Sequence, residues 1–477
     1  MENYLGQNYE ELGRFPEAIA VHRSSLARKR EIFVPTHNEI GSSLRNLGKA
    51  FQEMGQMDSA WHYLEQAIQA AAMGEPINRR DYALSLFAGA DWAYANQQYH
   101  KTLSLVAQTQ AQLDPQSLLW QMESLEIRSL EFDAYKALGE YEAALEVVDK
   151  TDELIAKLIP RLQASESQLR LKQQARALYL QGVEICYQLY QKNKNEALLW
   201  RAFRYSEAAK SRVLAIQIHQ LRLPNMPPKI ARLESKLKTR ESYLRRMLGE
   251  MERSAKPDPE EVKRLQSALV EVRFEADSLY ERIKTDYPDL YALRVRPPSL
   301  DHRMLQSQLK ADQVFWEYLV GEKRVWAFVI ERESIRLYEL PDPSVKDRVQ
   351  AFREAVRKRE KAKWVALANQ LFDDLVAPIL STAKKDIVLV PDDVLAYLPF
   401  EALITEPVSS SAPINQYPYW LRTHEISYAY SALLWTRGRL GASSNGGKLL
   451  SVAPAFDAPQ FAQTGQRGLG PLLENQG

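Results

Sequence analysis

Side chains able to do chemistry are few in this chain, and they are scattered. One cysteine, Cys186, and seven histidines occur in 477 residues. A thiol nucleophile needs a neighbouring base and an electropositive, partly exposed setting. Cys186 lies instead between Ile185 and Tyr187 in a helical stretch, which reads as a packing residue. His22, His37, His62, His100, His219 and His302 are spread along helical regions without ligand spacing. A single cysteine excludes an internal disulfide framework and a cysteine-based zinc site. His424 opens a short strand after Arg422-Thr423 and is read as structural. Asp392 and Asp393 are neighbouring carboxylates, but a tight turn favours aspartate without catalysis. Residues 441–448, GASSNGGK, imitate a phosphate loop. No Ser or Thr follows Lys448, however, and a strand stands where the anion-binding helix should begin. The chain therefore offers no catalytic residue, no cofactor-binding residue, no metal ligand and no implied cofactor.

Composition narrows the classes further. Apolar residues make up 45% and charged residues 26%, with a formal net charge of +1. That balance gives no electrostatic reason to expect nucleic acid or an anionic membrane as partner. No run of eighteen apolar residues exists and the N-terminus, MENYLGQNYEELG, lacks a signal-peptide core. A cytoplasmic protein with several cores is the expectation.

The elements that must position any site are mostly helices in a repeat. Phe15, Met57, Tyr99 and Tyr141 recur every 42 residues, as do Ala18, Ala60, Thr102 and Ala144, and Gly13, Gly55, Gln97 and Gly139. Leu47, Gly48, Phe51, Ala60, Leu64 and Ala67 match the tetratricopeptide (TPR) pattern, in which small residues let two helices approach and large ones fill the groove. A period above the usual ~34 residues predicts longer helices. Leu5, Gly6 and Tyr9 align with Leu47, Gly48 and Phe51. Residue 1 is thus expected inside a first helix, as though a capping element had been cut away. The repeats cover 1–160, and a degenerate last helix pair (169–190 and 196–219) belongs to 161–222.

Residues 223–288 read as an antiparallel coiled-coil-like hairpin. Ile230, Leu233, Leu237, Leu244, Met247 and Met251 keep seam spacing on one helix, and Val262, Leu265, Leu269, Val272, Ala276, Leu279 and Ile283 on the other. Lys256-Pro257-Asp258-Pro259 makes the turn, with Asp258 as N-cap and Pro259 at the first helical position. The intervening charges form a solvated face rather than a basic stripe.

From 289 the texture changes. Strands are expected at 313–320, 324–330 and 334–340, helices at 344–359 and 363–382, and then a strand at 387–390. A short helix, a strand at 425–428, a helix at 431–440 and a strand at 449–452 come next, so helices should cover both faces of a sheet. Trp316, Trp326 and Phe328 sit at strand spacing and read as core.

The segment VPDDVLAYLPFEAL (390–403), with RTHEISYAYS (422–431) after it, resembles the CHAT family of caspase-like cysteine peptidase domains. AFRYSEAAKSRVL (202–214) resembles the last helix that precedes many such domains, which also occur downstream of TPR repeats. The resemblance spans about 290–477. It implies an all-α TPR superhelix, a helical hairpin and an α/β caspase-like domain. It also implies acyl transfer by a Cys thiolate with a His base, both located on later strands. No His follows His424 and no Cys follows Cys186, so 289–477 is expected to be the incomplete N-terminal part of that domain and inactive as a peptidase. The repeats would hold a protein or peptide on their concave face and pass a signal through the hairpin. A non-catalytic TPR adaptor with a pseudo-protease-like platform is the alternative. An enzyme with a small-molecule site in 290–477 has no motif behind it.

Overall fold

The period of 42 residues is set by alternating helices of four to five turns and by left-handed caps between them. The computed structural model describes residues 2–74, 77–113, 118–158, 165–221, 227–252, 259–287, 300–340, 344–381, 384–409 and 412–440. Its contacts separate Met1–Trp435 from Thr436–Gly477, and the helix pairs and the sheet all lie in the first of these units. Helices α1 (Glu2–Glu11) and α2 (Phe15–Ile32), α3 (Asn38–Glu53) and α4 (Met57–Ala72), α5 (Arg79–Ala95) and α6 (Tyr99–Gln112), and α7 (Leu118–Leu138) and α8 (Tyr141–Leu158) form successive pairs. A fifth pair is α9 (Ser165–Asn193) with α10 (Glu196–Leu221). The recurring Phe15, Met57, Tyr99 and Tyr141 are each the first residue of a second helix. Ala18, Ala60, Thr102 and Ala144, one turn later, are each completely buried. Gly13, Gly55, Gln97 and Gly139 occupy left-handed backbone at φ of 69°, 73°, 58° and 75°, and Lys194 does the same at 56° before α10. A repeat in α3 shows why the helices form: Ile40, Leu44, Leu47 and Phe51 are buried at helical spacing, and Gly48 lets the chain approach Leu64 of α4.

Helices α11 (Pro228–Glu252) and α12 (Pro259–Asp286) share a small apolar cluster made of their own seam residues, Ile230, Leu237 and Leu244 against Leu265, Leu269, Val272 and Leu279. The expected turn at 256–258, the loop at 441–448 and the strand at 449–452 lie outside the described residues.

A short helix, α13 (His302–Gln308), leads into a five-stranded sheet of order β3-β2-β1-β4-β5. The strands are β1 (Gln313–Val320), β2 (Val325–Ile330), β3 (Ile335–Leu340), β4 (Asp386–Val390) and β5 (Glu425–Tyr428). The first three form antiparallel hairpins, with Phe315 opposite Ile330 and Val325 opposite Leu340. The chain then crosses over through α14 (Val345–Lys358) and α15 (Lys361–Leu375), so β4 runs parallel to β1 with Trp316 opposite Leu389. β5 adds in parallel to β4, is the outermost strand on that side among the described residues, and is largely exposed.

All eight residues of β1 are buried, because both faces of the sheet are covered. The expected helical cover is present. Its inner layer, however, is drawn mainly from the fifth helix pair, with Ala432 and Trp435 of the C-terminal helix packed beside it. Phe315, Leu319, Trp326, Phe328 and Val388 share a core with Val183, Cys186, Leu199 and Phe203 of the fifth helix pair. Trp316, Tyr318, Val325, Ala327 and Leu389 face the other way, onto Val349, Phe352, Leu371 and Phe372 of α14 and α15. The expected helix at 363–382 ends earlier, at Leu375. The expected short helix after β4 is a pair of 3-10 turns, Asp393–Tyr397 and Phe400–Ala402.

Candidate functional site

Two polar constellations distinguish the junction of the fifth helix pair with the sheet. β1 reads QVFWEYLV, a strand interrupted by one charge, and that charge points at α10. Glu317 is fully buried and accepts a hydrogen bond from Ser206 Oγ at 2.6 Å, while Lys210 Nζ stands 3.1 Å from the same carboxylate oxygen. Ser206, Glu207 and Lys210 lie within one turn of α10. Glu207, also buried, accepts from the backbone N–H groups of Ala432 and Leu433 at 2.9 and 3.1 Å. Those are the first residues of α16 (Ala432–Leu440), so the carboxyl satisfies donors that a helix start leaves unpaired. Burial, and next the Glu317 carboxylate, push the Glu207 pKa well above the usual carboxylate range; Lys210 opposes this. Glu207 accordingly holds its proton well above the pH at which an exposed glutamate would lose it.

The second constellation is the Pro391-Asp392-Asp393 turn. Asp392 is pinned by three donors: Arg176 of α9 at 2.6 and 3.4 Å and the Val320 N–H at 2.7 Å. Arg176 also donates to the Val320 carbonyl at 2.9 Å, so one guanidinium ties α9 to the ends of both β1 and β4. Asp393 turns away with φ of 50° and pairs with Lys346 at 2.8 Å. The two carboxylates therefore do not share a site. Around these ion pairs, Tyr187 packs edge-on to Trp326 and Phe203 packs against Phe328 at 5.1 and 5.4 Å.

The remaining candidates fall where sequence reading put them. Cys186 is completely buried in α9, and burial pushes its thiol up to about 12, with Arg201 the main opposing charge. His424 follows a 3-10 turn, bonds Thr423 Oγ1 through Nδ1 at 2.8 Å and lies near Trp420; burial lowers its pKa, and Lys385 adds to that. Trp316, Trp326 and Phe328 are buried on opposite faces of the sheet. Among the described residues no group of His, Cys, Asp and Glu could hold a metal, and no helix is long and apolar enough to cross a membrane. Sequence reading missed Arg176, Ser206, Glu207, Lys210 and Glu317. A lone charge inside an apolar strand was a usable signal for Glu317; nothing marked Arg176.

In the repeats, first helices are laced to one another. Arg45 of α3 reaches Asp81 and Ser85 of α5 at 2.5 and 3.0 Å, and Gln52 donates to Asp91 at 2.9 Å. Lys49 of α3 and Asp91 of α5 are exposed.

Residues 1–72 match the tetratricopeptide repeat family model. The helical part is a TPR-like repeat fold, and a small mixed sheet follows it. Comparison with curated proteins gave no match. Among solved structures, nearly identical TPR-like repeats of the kinesin light chain type from Podosopora anserina are 22% identical, with 46% of this chain and 96% of that one covered at a TM-score of 0.31. BtubC (BKLC) from P. vanneervenii is 12% identical, with 60% and 95% covered at a TM-score of 0.32.

Proposed function

We propose that this chain is a protein-binding TPR array (1–160) whose last helix pair (161–222) carries a caspase-like, CHAT-type α/β platform (289–477), with the hairpin (223–288) as a side element. TPR repeats act by holding protein partners along stacked helices. The observation that carries the coupling is the Ser206–Glu317–Lys210 contact, because it makes a repeat helix part of the sheet's own core. A partner that shifts the fifth pair must then move β1, and through Arg176 the turn after β4. The route runs directly from α9 and α10 rather than through the hairpin, whose core is its own.

In favour of the CHAT-type reading are the VPDDVLAYLPFEAL segment and the parallel β1–β4–β5 progression among the described strands. The family's acyl transfer needs an activated thiolate, and neither Cys186 nor His424 is set up for that. The chain acts by binding.

Two measurements test this. A photo-crosslinking amino acid at Lys49 or Asp91 captures a discrete protein partner, whereas one at His62 on a second helix does not; equal capture at all three would overturn the array as receptor. The purified chain releases no product from peptide substrates, and Cys186→Ala changes nothing. Turnover that disappears with Cys186→Ala would sink the non-catalytic reading.

A further inference from the structure

A cavity of about 610 Å³ opens on the α14 side of the sheet, on the opposite face from the junction with the fifth helix pair. Its walls are Phe352 and Val356 of α14, Trp364 of α15, Tyr397 and Pro399 from the turns after β4, and Tyr419 and Leu421 from the segment before β5. That volume suits a few bulky side chains, and the lining is of the apolar, aromatic kind that binding sites use. Three of the walls would gain from being covered: Val356, Tyr397 and Leu421 are 48%, 62% and 54% exposed. The VPDDVLAYLPFEAL segment builds this rim. Asp392 is anchored inward by Arg176, the left-handed Asp393 reverses the chain, and Tyr397 and Pro399 are thereby carried outward to the cavity.

The occupant's charge is set by the two charged lining residues, Arg353 and Arg357. They are four apart on one face of α14. The Arg353 guanidinium carbon stands over the Tyr397 ring at 4.7 Å from its centroid, and a cation held against an aromatic ring still has N–H donors for an anion. Residues 353–363 hold six basic side chains against two acidic ones. Both acidic ones are already taken, Glu354 by Lys358 and Glu360 by Lys363, each at 3.5 Å. Among the described residues neither Arg353 nor Arg357 has a carboxylate partner. The C-terminal end of α14 contributes only about half a negative charge, so the local field stays positive.

We infer that this cavity is a second protein-binding site, which takes a short peptide segment with one or two bulky apolar side chains flanked by aspartate or glutamate. Apolar residues fill the aromatic walls, and carboxylates meet Arg353 and Arg357. The site is independent of the TPR array and needs no chemistry from the chain.

The test uses the full 477-residue chain and fluorescein-labelled hexapeptides of the form Asp-Glu-X-X-Glu-Asp, with X drawn from Leu, Ile, Phe, Tyr and Trp. Fluorescence anisotropy should give saturable binding for at least one member below about 0.1 mM. Replacement of the flanking acids by lysine, or of both X residues by alanine, should abolish it. Arg357→Glu and Tyr397→Ala are surface changes, and each should weaken binding about tenfold or more with the circular dichroism spectrum unchanged. No saturable binding across the library, equal binding of the lysine-flanked peptides, or binding that both variants leave intact would overturn the proposal. The last outcome would place the peptide on the helical array instead.

Discussion

Arg, Gln and Lys side chains occupy backbone that glycine would hold more easily, and the repeat makes that comparison internal. Gly13, Gly55 and Gly139 cap their helices in left-handed conformation, and Gln97 fills the same station at φ of 58° with a Cβ to accommodate. Left-handed backbone costs an L-residue about 1–2 kcal/mol, and glycine gives back part of that through the larger freedom of the unfolded chain. Gln97→Gly and Lys194→Gly are therefore expected to stabilise the protein by about 0.5 kcal/mol each in urea unfolding. The converse change is cleaner still. A Cβ added at Gly55 meets nothing within 4 Å, so Gly55→Ala reports the backbone term alone. It should destabilise by about 1 kcal/mol; a neutral result would mean that the cap relaxes out of the left-handed region.

At the scale of elements, the contact of α10 with β1 sets two opposing electrostatic demands in one buried place. The Lys210 side chain is 5% exposed and that of Glu317 not at all, so removing the lysine leaves the Glu317 carboxylate buried without this cation, with Ser206 still donating to it. Lys210→Met is expected to cost about 3–5 kcal/mol, and adding Glu317→Gln should recover most of it, since a neutral pair has no uncompensated charge to bury. A double-mutant cycle by urea unfolding checks this; additive losses would mean that the two groups do not couple. Glu207 adds a pH dependence with a definite sign. Its folded pKa is raised above the ordinary value of 4.5, mainly by burial and then by Glu317 on β1, with Lys210 on its own helix opposing. The folded chain then holds a proton that the unfolded chain releases. The stability from this group is complete below its ordinary pKa and is lost as pH rises through the folded value. Glu207→Gln keeps one acceptor oxygen for the Ala432 and Leu433 N–H groups, at a constant cost for the other, and removes the titration. Relative to the parent chain, it should gain stability steadily from pH 5 to pH 8 by about 1 kcal/mol or more. A pH-independent difference would contradict the assignment.

Much of this molecule was legible in the residues alone, for reasons specific to each element. The 42-residue step marked one recurring station, and in the first four pairs Phe15, Met57, Tyr99 and Tyr141 each begin a second helix, fixed by one recurring cap and one recurring small residue. Strands β1 and β5 fell on the expected residues, since their ends are marked by charge and turn signals. Partnership between elements was harder. Nothing local says that Phe203 of α10 will meet Phe328 of β2, or that Arg176 will find Asp392 more than two hundred residues later. Long-range pairing depends on complementary shape and buried charge, and a single sequence shows each half without its mate. One core thus joins four repeat helices, α7 to α10, to the sheet, while α11 and α12 pack on each other. The consequence is testable at the scale of the whole chain. Replacing 227–287 by a flexible linker of about twenty Gly and Ser residues should leave the array and sheet folded, with unfolding free energy changed by about 1 kcal/mol or less. Phe203→Ala should instead cost about 3–5 kcal/mol and loosen both sides of the junction together, because the cavity it leaves opens into helix pair and sheet at once. Amide exchange distinguishes the two: β1 and β4 stay protected without the hairpin and lose protection in Phe203→Ala alongside α9. Loss of β1 protection on excision of the hairpin would show that α11 and α12 are part of the shared core after all.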